Sequence, residues 1–160
     1  MSEKLADIQY NFINLPSRIE FENGHVISYL YDADGIKLRT THIIGSDTTV
    51  TDYCGNVIYE NGIPVKLLTE AGYVTLADSK YHYFVQDHLG NNRVVVDQSG
   101  NVEEVNHYYP FGGLLSSSVS NAVQPYKYNG KELDRKNGLD WYDYGARMYD
   151  AALGRWHAVD

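Results

Sequence analysis

The side chains with the clearest chemical potential are carboxylates gathered near the C-terminus of the 160-residue chain: Glu132, Asp134, Asp140, Asp143, Asp150 and Asp160. Two aspartates that share one proton can carry out acid–base catalysis, as in aspartic proteases. Turn capping and ion pairing with arginines would account for the same acids without any reaction. We favour the structural explanation and assign none of these residues a catalytic role.

Metal binding and nucleophilic catalysis have less support. The histidines are His25, His42, His82, His88, His107 and His157. None is paired at a His-x-His or His-x3-His spacing and there is no second cysteine, so a zinc ion has no local ligand set. Cys54 has no identifiable base partner, and we expect it to be a small buried residue rather than a nucleophile. We therefore predict no metal, no cofactor and no enzymatic activity.

Composition excludes several classes of protein. The chain carries 21 acidic and 13 basic side chains, a formal net charge of −8, which argues against a binder of duplex nucleic acid. No apolar run reaches the length of about 18 residues that a membrane-spanning helix needs. The single cysteine excludes an intrachain disulfide.

The elements that must position these residues are predicted to be strands. The chain contains 15 tyrosines and 14 glycines, which suit half-buried sheet surfaces and tight turns. Short apolar runs alternate with turn signals such as Asn23-Gly24 and Asn61-Gly62. In 36–39 apolar and basic side chains alternate, so we expect one face to be buried and the other wet. No stretch has a helical period, which predicts an all-β fold with little helix.

Turn glycines at positions 35, 55, 72, 90 and 112 are separated by 20, 17, 18 and 22 positions. A hairpin of this length cannot bury its apolar face alone and must add to its neighbours. We therefore predict consecutive antiparallel hairpins in an extended curved sheet, whose open edges would favour self-association. A β-sandwich with evenly spaced turns is the alternative.

Three regions follow from the pattern. Residues 1–111 are predicted to form the hairpin array, 112–124 a Ser- and Gly-rich loop, and 125–160 a final segment. In that segment a turn at 151–154 would join 141–150 to 155–159 in the last hairpin. Positive-φ turn positions are expected at Gly35, Gly55, Gly62, Gly90 and Gly154.

Several segments together resemble the Rhs/YD-repeat family. Residues 31–39 resemble a YD repeat, with a Tyr-Asp pair, a turn glycine and a nearby basic residue. From about residue 85 the chain resembles the Rhs repeat-associated core, in the form found in Bacteroides-type bacteria. The residues that carry the resemblance are Tyr31, Asp32, Gly35, Arg39, Asp87, His88, Gly90, Arg93, Tyr109, Pro110, Gly112, Gly130, Glu132, Tyr142, Asp143, Arg147, Tyr149, Asp150, Gly154, Arg155 and Trp156.

We expect structural roles for these motif residues. The aspartate of the Tyr-Asp pair would accept backbone N–H bonds in its turn. Tyrosine rings would stack in rows along the sheet, with the hydroxyl free for a hydrogen bond. We expect carboxylate bridges or stacking on aromatic rings for the arginines Arg39, Arg93, Arg147 and Arg155.

The resemblance implies a function. Rhs/YD-repeat proteins wind hairpins into a hollow β-shell around a toxic C-terminal segment, and the core closes one end. In many, the toxin follows an Asp-Pro shortly after the core, and an aspartate-dependent self-cleavage separates the two. Asp160 corresponds to the position of that Asp-Pro, and we assign it no role. The expected partners are the rest of the parent shell and its toxin segment, in a secreted or cell-surface protein. The alternatives are a carbohydrate-binding module of a wall-associated protein and the remnant of an aspartyl autoprotease.

Overall fold

A computed structural model describes residues 4–118 and 124–158. This part of the chain contains fifteen strands and two single-turn 3-10 helices, Tyr128–Gly130 and Lys136–Gly138. The strands are β1 (Leu5–Tyr10), β2 (Pro16–Phe21), β3 (Val26–Tyr31), β4 (Lys37–Ile44), β5 (Asp47–Cys54), β6 (Val57–Glu60), β7 (Ile63–Thr69), β8 (Gly72–Thr75), β9 (Lys80–Gln86), β10 (Asn92–Asp97), β11 (Val102–Val105), β12 (Glu132–Asp134), β13 (Trp141–Asp143), β14 (Met148–Asp150) and β15 (Arg155–Trp156).

The strands form two sheets in strict chain order. An eleven-stranded sheet runs from β1 to β11 and a four-stranded sheet from β12 to β15, and each strand is antiparallel to the next. This confirms the prediction of an all-β chain of consecutive antiparallel hairpins with little helix. A β-sandwich instead divides its strands between two sheets by Greek-key connections, so that alternative is wrong for the hairpin array.

Three of the turns between strands, which begin at Asp32, Asp87 and Asp97, share one local design. Asp32 Oδ1 accepts the N–H groups of Asp34 and Ile36, and Gly35, at φ +83°, donates its N–H to the Asp32 carbonyl. The left-handed position favours glycine, and the turn ends in a bulge that shifts the register of the following strand. The loops that begin at Asp87 and Asp97 have the same bonds. The predicted aspartate role is therefore confirmed, as are the positive φ values of Gly35, Gly55, Gly62, Gly90 and Gly154.

The main apolar core lies between the two sheets. Alternate residues of β2 and β3 point to one face of the large sheet, and against them pack residues of the small sheet and of the connection between β12 and β13. The members of the core are Ile19, Phe21, Ile27, Tyr29, Leu139, Trp141 and Met148, all buried. Burying each large apolar side chain contributes about 1.5–3 kcal/mol, so this contact fixes the small sheet on the large one.

The final segment differs from the predicted hairpin. The run 141–150 is two strands rather than one, because the chain reverses after Asp143: Tyr144 donates its N–H to the Arg147 carbonyl, and Gly145 donates to Asp143 Oδ1. The turn at 151–154 is present, capped by Asp150, which accepts the N–H of Ala152 at 2.8 Å. β15 is only two residues long, and position 159 lies outside the described residues.

The predicted loop begins as an ordered turn. Gly112 donates its N–H to the Tyr109 carbonyl at 2.9 Å, and Leu114 forms an isolated bridge with Tyr108. Positions 119–123 lie outside the described residues, so the three-region division remains a prediction. Within the described residues, no helix is long and apolar enough to cross a membrane.

Candidate functional site

A seam of buried charged and polar groups joins the small sheet to the large one. Its first cluster, here called the clasp, consists of Lys37, Glu132 and Asp143. Lys37 Nζ lies 2.7 Å from Glu132 Oε2 and 2.7 Å from Asp143 Oδ2. The two acids are directly opposite in the β12–β13 pairing, which brings both carboxylates to one ammonium group. Only 9% of the Lys37 side chain is exposed, so the clasp is a buried ion triad.

Aromatic groups complete the surroundings of the clasp. Lys37 Nζ lies 4.7 Å from the centre of the Tyr53 ring, and the Tyr53 hydroxyl donates to Glu132 Oε1 at 2.7 Å. Burial lowers the pKa of Lys37, but Glu132, Tyr53 and Asp143 outweigh it and hold that pKa well above its usual value. Burial and the nearby Glu132 raise the pKa of Tyr53. The ammonium group therefore stays charged and the phenol stays a hydrogen-bond donor.

The burial of Lys37 corrects the predicted face of β4. The alternation of apolar and basic residues in 36–39 predicted buried apolar side chains, yet Ile36 and Leu38 are 61% and 39% exposed. The reason is a register shift between the pairs Leu30–Arg39 and Tyr31–Lys37. This one-residue bulge turns Lys37 to the face that also carries Thr40, whereas Arg39 remains outside.

A second cluster joins β3 and β4 to β12. His42 Nε2 lies 2.9 Å from Asp134 Oδ2, and the Tyr29 hydroxyl donates to the same oxygen at 2.8 Å. Burial raises the pKa of Asp134, but the hydrogen bonds and charge of His42 and the Tyr29 bond outweigh it, so this pKa is lowered overall. Asp134 is therefore an ionised acceptor and a weak base.

A third cluster fixes the segment before β12 to the edge strand β11. Glu104 Oε1 accepts hydrogen bonds from Lys127 Nζ, Gln124 Nε2 and Asn106 Nδ2. Lys127 and Glu104 are 2% and 3% exposed. Burial lowers the pKa of Lys127, and the bond to Glu104 opposes that effect. The sequence gives no local signal for this cluster beyond a lysine between two tyrosines.

The acids that the sequence analysis singled out bind structural partners. In addition to the acids of the clasp and Asp134, Asp140 pairs with Arg135 and Asp150 caps a turn. Lysine and histidine are the main buried partners, so the expectation of arginine partners is wrong except at Asp140. Asp160 lies outside the described residues. Among the described acids of this set, each has a base, hydroxyl or backbone N–H as its partner, which is not the proton-sharing dyad of an aspartic protease.

The segments that resemble the Rhs repeat-associated core contact one another at two places. Asn129 of the Asn129-Gly130 turn donates its N–H to Asn91 Oδ1 and its side-chain amide to the Leu89 carbonyl. These bonds connect the segments that contain Gly90 and Gly130. His88 is exposed in the same β9–β10 turn, and Asp87 caps that turn.

The second contact involves the segment 109–112, where the carbonyls of Pro110, Phe111 and Gly112 accept hydroxyl bonds from Tyr128, Tyr149 and Tyr142 respectively. A Cβ at Gly112 would lie 2.6 Å from the Tyr128 ring, so this close approach requires glycine. Tyr109 itself is 55% exposed.

Three predicted arginines have the expected kind of partner. Arg39 pairs with Asp52 across β4 and β5. The guanidinium carbon of Arg93 lies 5.6 Å from the Tyr108 ring centre, and that of Arg147 lies 4.5 Å from the Trp156 ring centre. Arg155 is opposite Asp150 in the β14–β15 register. The predicted rows of tyrosines are present in part, with rings in contact at Tyr29–Tyr31, Tyr81–Tyr83, Tyr108–Tyr128, Tyr128–Tyr142 and Tyr144–Tyr149.

Cys54 is exposed, so the expectation that it is buried is wrong: it ends β5 at the turn that leads into β6. Across residues 4–118 and 124–158, no three His, Cys, Asp or Glu side chains are grouped to hold a metal ion.

A cavity of about 470 Å³ opens beside the seam, between β5–β7 and the segment 124–136.

Comparison with known proteins gives consistent matches. The family model described as Teneurin YD-shell matches residues 66–160. Salivary gland surface protein 1 of Aedes aegypti is 28% identical over 186 aligned positions, which cover 100% of this chain and 5% of that protein. The toxin subunit YenC1 of Yersinia entomophaga is 30% identical over 127 positions, which cover 69% of this chain and 13% of that protein. The chain thus spans only a small part of these relatives.

A solved structure has the same fold. The Tc holotoxin pore of Photorhabdus luminescens superposes with a TM-score of 0.78 at 19% identity, covering 96% of this chain and 9% of that chain. At this level of identity the likeness establishes the architecture alone. It agrees with the hairpin array and the small sheet described above.

Proposed function

The chain belongs to the YD-shell family, and from this premise we propose that it is a non-enzymatic module of the wall of a larger β-shell. The observation that supports the proposal is the fastening of the small sheet on the large one by buried ions. Lys37, His42 and Tyr29 on early strands bind Glu132, Asp134 and Asp143 near the end of the chain. Such contacts close the wall without forming a reactive centre.

We infer that the module works by steric containment. Each strand of the large sheet is hydrogen-bonded to its chain neighbours, so the sheet is a continuous barrier from β1 to β11. The small sheet covers one region of that barrier through the apolar core and the clasp. In the parent protein the partners would be the neighbouring hairpins and an enclosed C-terminal segment.

The enclosed segment is proposed to be a toxin, in a secreted or cell-surface parent. Relatives named as toxin subunits and as a salivary gland surface protein support this proposal. The resemblance of the core segments to Rhs proteins points the same way.

Protease protection in the full-length parent tests containment. The parent and its Lys37→Ala variant are digested under native conditions, and cleavage of the segment that follows this module is followed by mass spectrometry. We expect the segment to be resistant in the parent and to become sensitive in the variant, because the loss of the clasp frees the small sheet. The matched control is Arg39→Ala, which removes an exposed cation from the same strand. Equal cleavage in the parent and in its denatured form would contradict containment.

A carbohydrate-binding role is a second candidate, favoured by a cluster of exposed aromatic and apolar groups. Tyr109, Phe111 and Trp156 are 55%, 65% and 40% exposed, and rings of this kind can stack on sugar faces. Titration with wall polysaccharide tests the role, and the absence of binding at about 1 mM ligand would remove it.

The autoprotease alternative predicts a shortened product, and an intact mass after long incubation would count against it.

A further inference from the structure

Three side chains of the large sheet, Thr75, His82 and Glu103, form a chain of hydrogen bonds outside the seam. Thr75 Oγ1 lies 2.9 Å from His82 Nε2, and His82 Nδ1 lies 2.5 Å from Glu103 Oε2. A hydroxyl, an imidazole and a carboxylate in this order are the arrangement that activates a nucleophilic oxygen, and it is recognised by geometry rather than by sequence position. These three residues are here called the Thr75 triad.

Strands β8, β9 and β11 hold the triad in place. The His82 ring stacks on the Tyr73 ring, with centres 4.4 Å apart and an angle of 7° between the planes. Only 9% of the His82 side chain is exposed, so packing fixes the orientation of the ring. Glu103 is the extra residue of a bulge in the β10–β11 pairing. A bulge re-aims a side chain, and here the carboxylate reaches across β10 to His82.

The hydrogen bonds of His82 determine where its proton lies. A carboxylate only accepts hydrogen bonds, so His82 Nδ1 carries the proton and donates it to Glu103. Nε2 of the neutral ring is then an acceptor, and the Thr75 hydroxyl donates to it. His82 is therefore placed to take the hydroxyl proton as a general base. Glu103 is a positioning residue, which also stabilises the ring when it becomes charged.

The surroundings of the Thr75 hydroxyl suit attack on a carbonyl group. Lys66 of β7 and Lys80 of β9 are directly opposite Thr75 in its two strand pairings. Positive charge on both sides of the hydroxyl favours the negative oxygen that forms when a nucleophile attacks a carbonyl carbon. Thr75 is half-buried, whereas Thr40 on the same face of the sheet is fully buried. A small reagent can therefore reach the Thr75 hydroxyl.

We propose that Thr75 is a covalent modification site that takes one acyl group from an activated ester or thioester. Thr75 Oγ1 attacks the acyl carbonyl carbon while its proton passes to His82 Nε2. The bond from that carbon to the leaving oxygen or sulfur then breaks, and the leaving atom takes the proton from His82. The products are an ester at Thr75 and a free alcohol, phenol or thiol. The reaction changes the chain once without turnover, so it is compatible with a non-enzymatic wall module and does not depend on it.

Acetylation of the 160-residue chain by p-nitrophenyl acetate tests the proposal. Peptide mass spectrometry of samples taken over time gives both the site and the rate. We expect an acetyl ester at Thr75, which hydroxylamine removes, whereas amides formed at lysines resist hydroxylamine. Thr51 is the internal reference, because it is also half-buried and lies on the same face of the sheet. It should react about 100-fold more slowly, since a positioned general base contributes about this factor or more.

Variants separate the roles of the three residues. Thr75→Val keeps the β-branched shape and should abolish the ester at this position, whereas Thr75→Ser should retain it. His82→Gln should slow the reaction about 100-fold. Glu103→Gln can donate an N–H to His82 Nδ1, which favours the wrong tautomer, and should slow the reaction at least tenfold while circular dichroism of the sheets is unchanged.

Three results would overturn the proposal. The first is acetylation of Thr75 no faster than that of Thr51 in the unmutated chain. The second is an acetyl group at Lys66 in place of Thr75. The third is an unchanged rate in folded His82→Gln. The comparison of Thr75 with Thr51 needs no variant, so it decides the question even where a substitution impairs folding. Containment is tested by protease protection of the parent, so failure of either proposal is recognised separately.

Discussion

Replacement of Lys37 by alanine should be among the most damaging single changes in the chain. The substitution leaves the carboxylates of Glu132 and Asp143, each 2.7 Å from the lost ammonium group, facing one another in a buried site. Removing one partner of a buried ion pair typically destabilises a protein by about 3–5 kcal/mol. Here two acids lose the same partner, so we expect a loss at the upper end of that range.

Urea unfolding of the chain measures this loss. Trp141, which is 2% exposed in the core between the sheets, reports the transition by fluorescence, and circular dichroism of the sheets provides a second probe. The matched control Arg39→Ala removes an exposed cation two residues away and should change stability much less. In the Lys37→Met background, Glu132→Gln together with Asp143→Asn should restore most of the stability, because no unpaired charge remains.

The outcomes that would refute this reasoning are specific. A loss below about 1 kcal/mol for Lys37→Ala, the range of surface ion pairs, would show that solvent reaches the clasp. Equal losses for Lys37→Ala and Arg39→Ala would show that burial of the pair carries no weight. Failure of the double neutralisation to recover stability would indicate that Lys37 acts through the contact of its ammonium group with the Tyr29 and Tyr53 rings, which methionine lacks.

Three further predictions concern pH and backbone packing. The pKa of Asp134 is lowered from 3.8 in the folded state. Ionised Asp134 therefore stabilises the fold above pH 3.8, and this stabilisation is lost as the pH falls through the lowered pKa. Asp134→Asn should remove the corresponding fall of the urea midpoint in acid. The pKa values of Tyr29 and Tyr53 are raised well above 10.0, so stability should be complete below about pH 10 and fall above it, with tyrosinate absorbance at 295 nm rising together with loss of the sheet signal. A Cβ at Gly72 would lie 1.9 Å from the His82 carbonyl oxygen, whereas one at Gly24 meets nothing within 4 Å; Gly72→Ala should therefore cost about 3 kcal/mol or more, and Gly24→Ala about 1–2 kcal/mol, in thermal unfolding.

The hairpin array is predictable because its determinants are local. Asp32 and Gly35 lie in one five-residue loop, and the bonds that they make span no more than four positions. The same holds for the loop at Asp87. Strand order follows from such turns, since a tight reversal places each strand beside the previous one.

The seam is not predictable in this way because its partners are distant in sequence. Lys37 and Glu132 are 95 positions apart, and Tyr29 and Asp134 are 105 apart. Alternation in 36–39 even indicates the wrong face, since the bulge that turns Lys37 inward depends on its pairing with β3. The motif Pro110-x-Gly112 is recognisable, but its role as an acceptor for tyrosine hydroxyls requires the folded neighbours.

Each strand of the large sheet pairs with its neighbour in the chain, whereas the partners in the clasp are far apart in sequence. This difference has a consequence for folding during biosynthesis. A ribosome releases the chain from its N-terminus, and each strand of the large sheet can pair as soon as its predecessor has emerged, with little loop-closure entropy. The polar ends of Lys37 and His42 remain in water until the acids that bind them, about a hundred residues later in the chain, have been translated. Folding should therefore be gradual along the array and conclude in one late, cooperative step, when the last strands arrive and water leaves the seam.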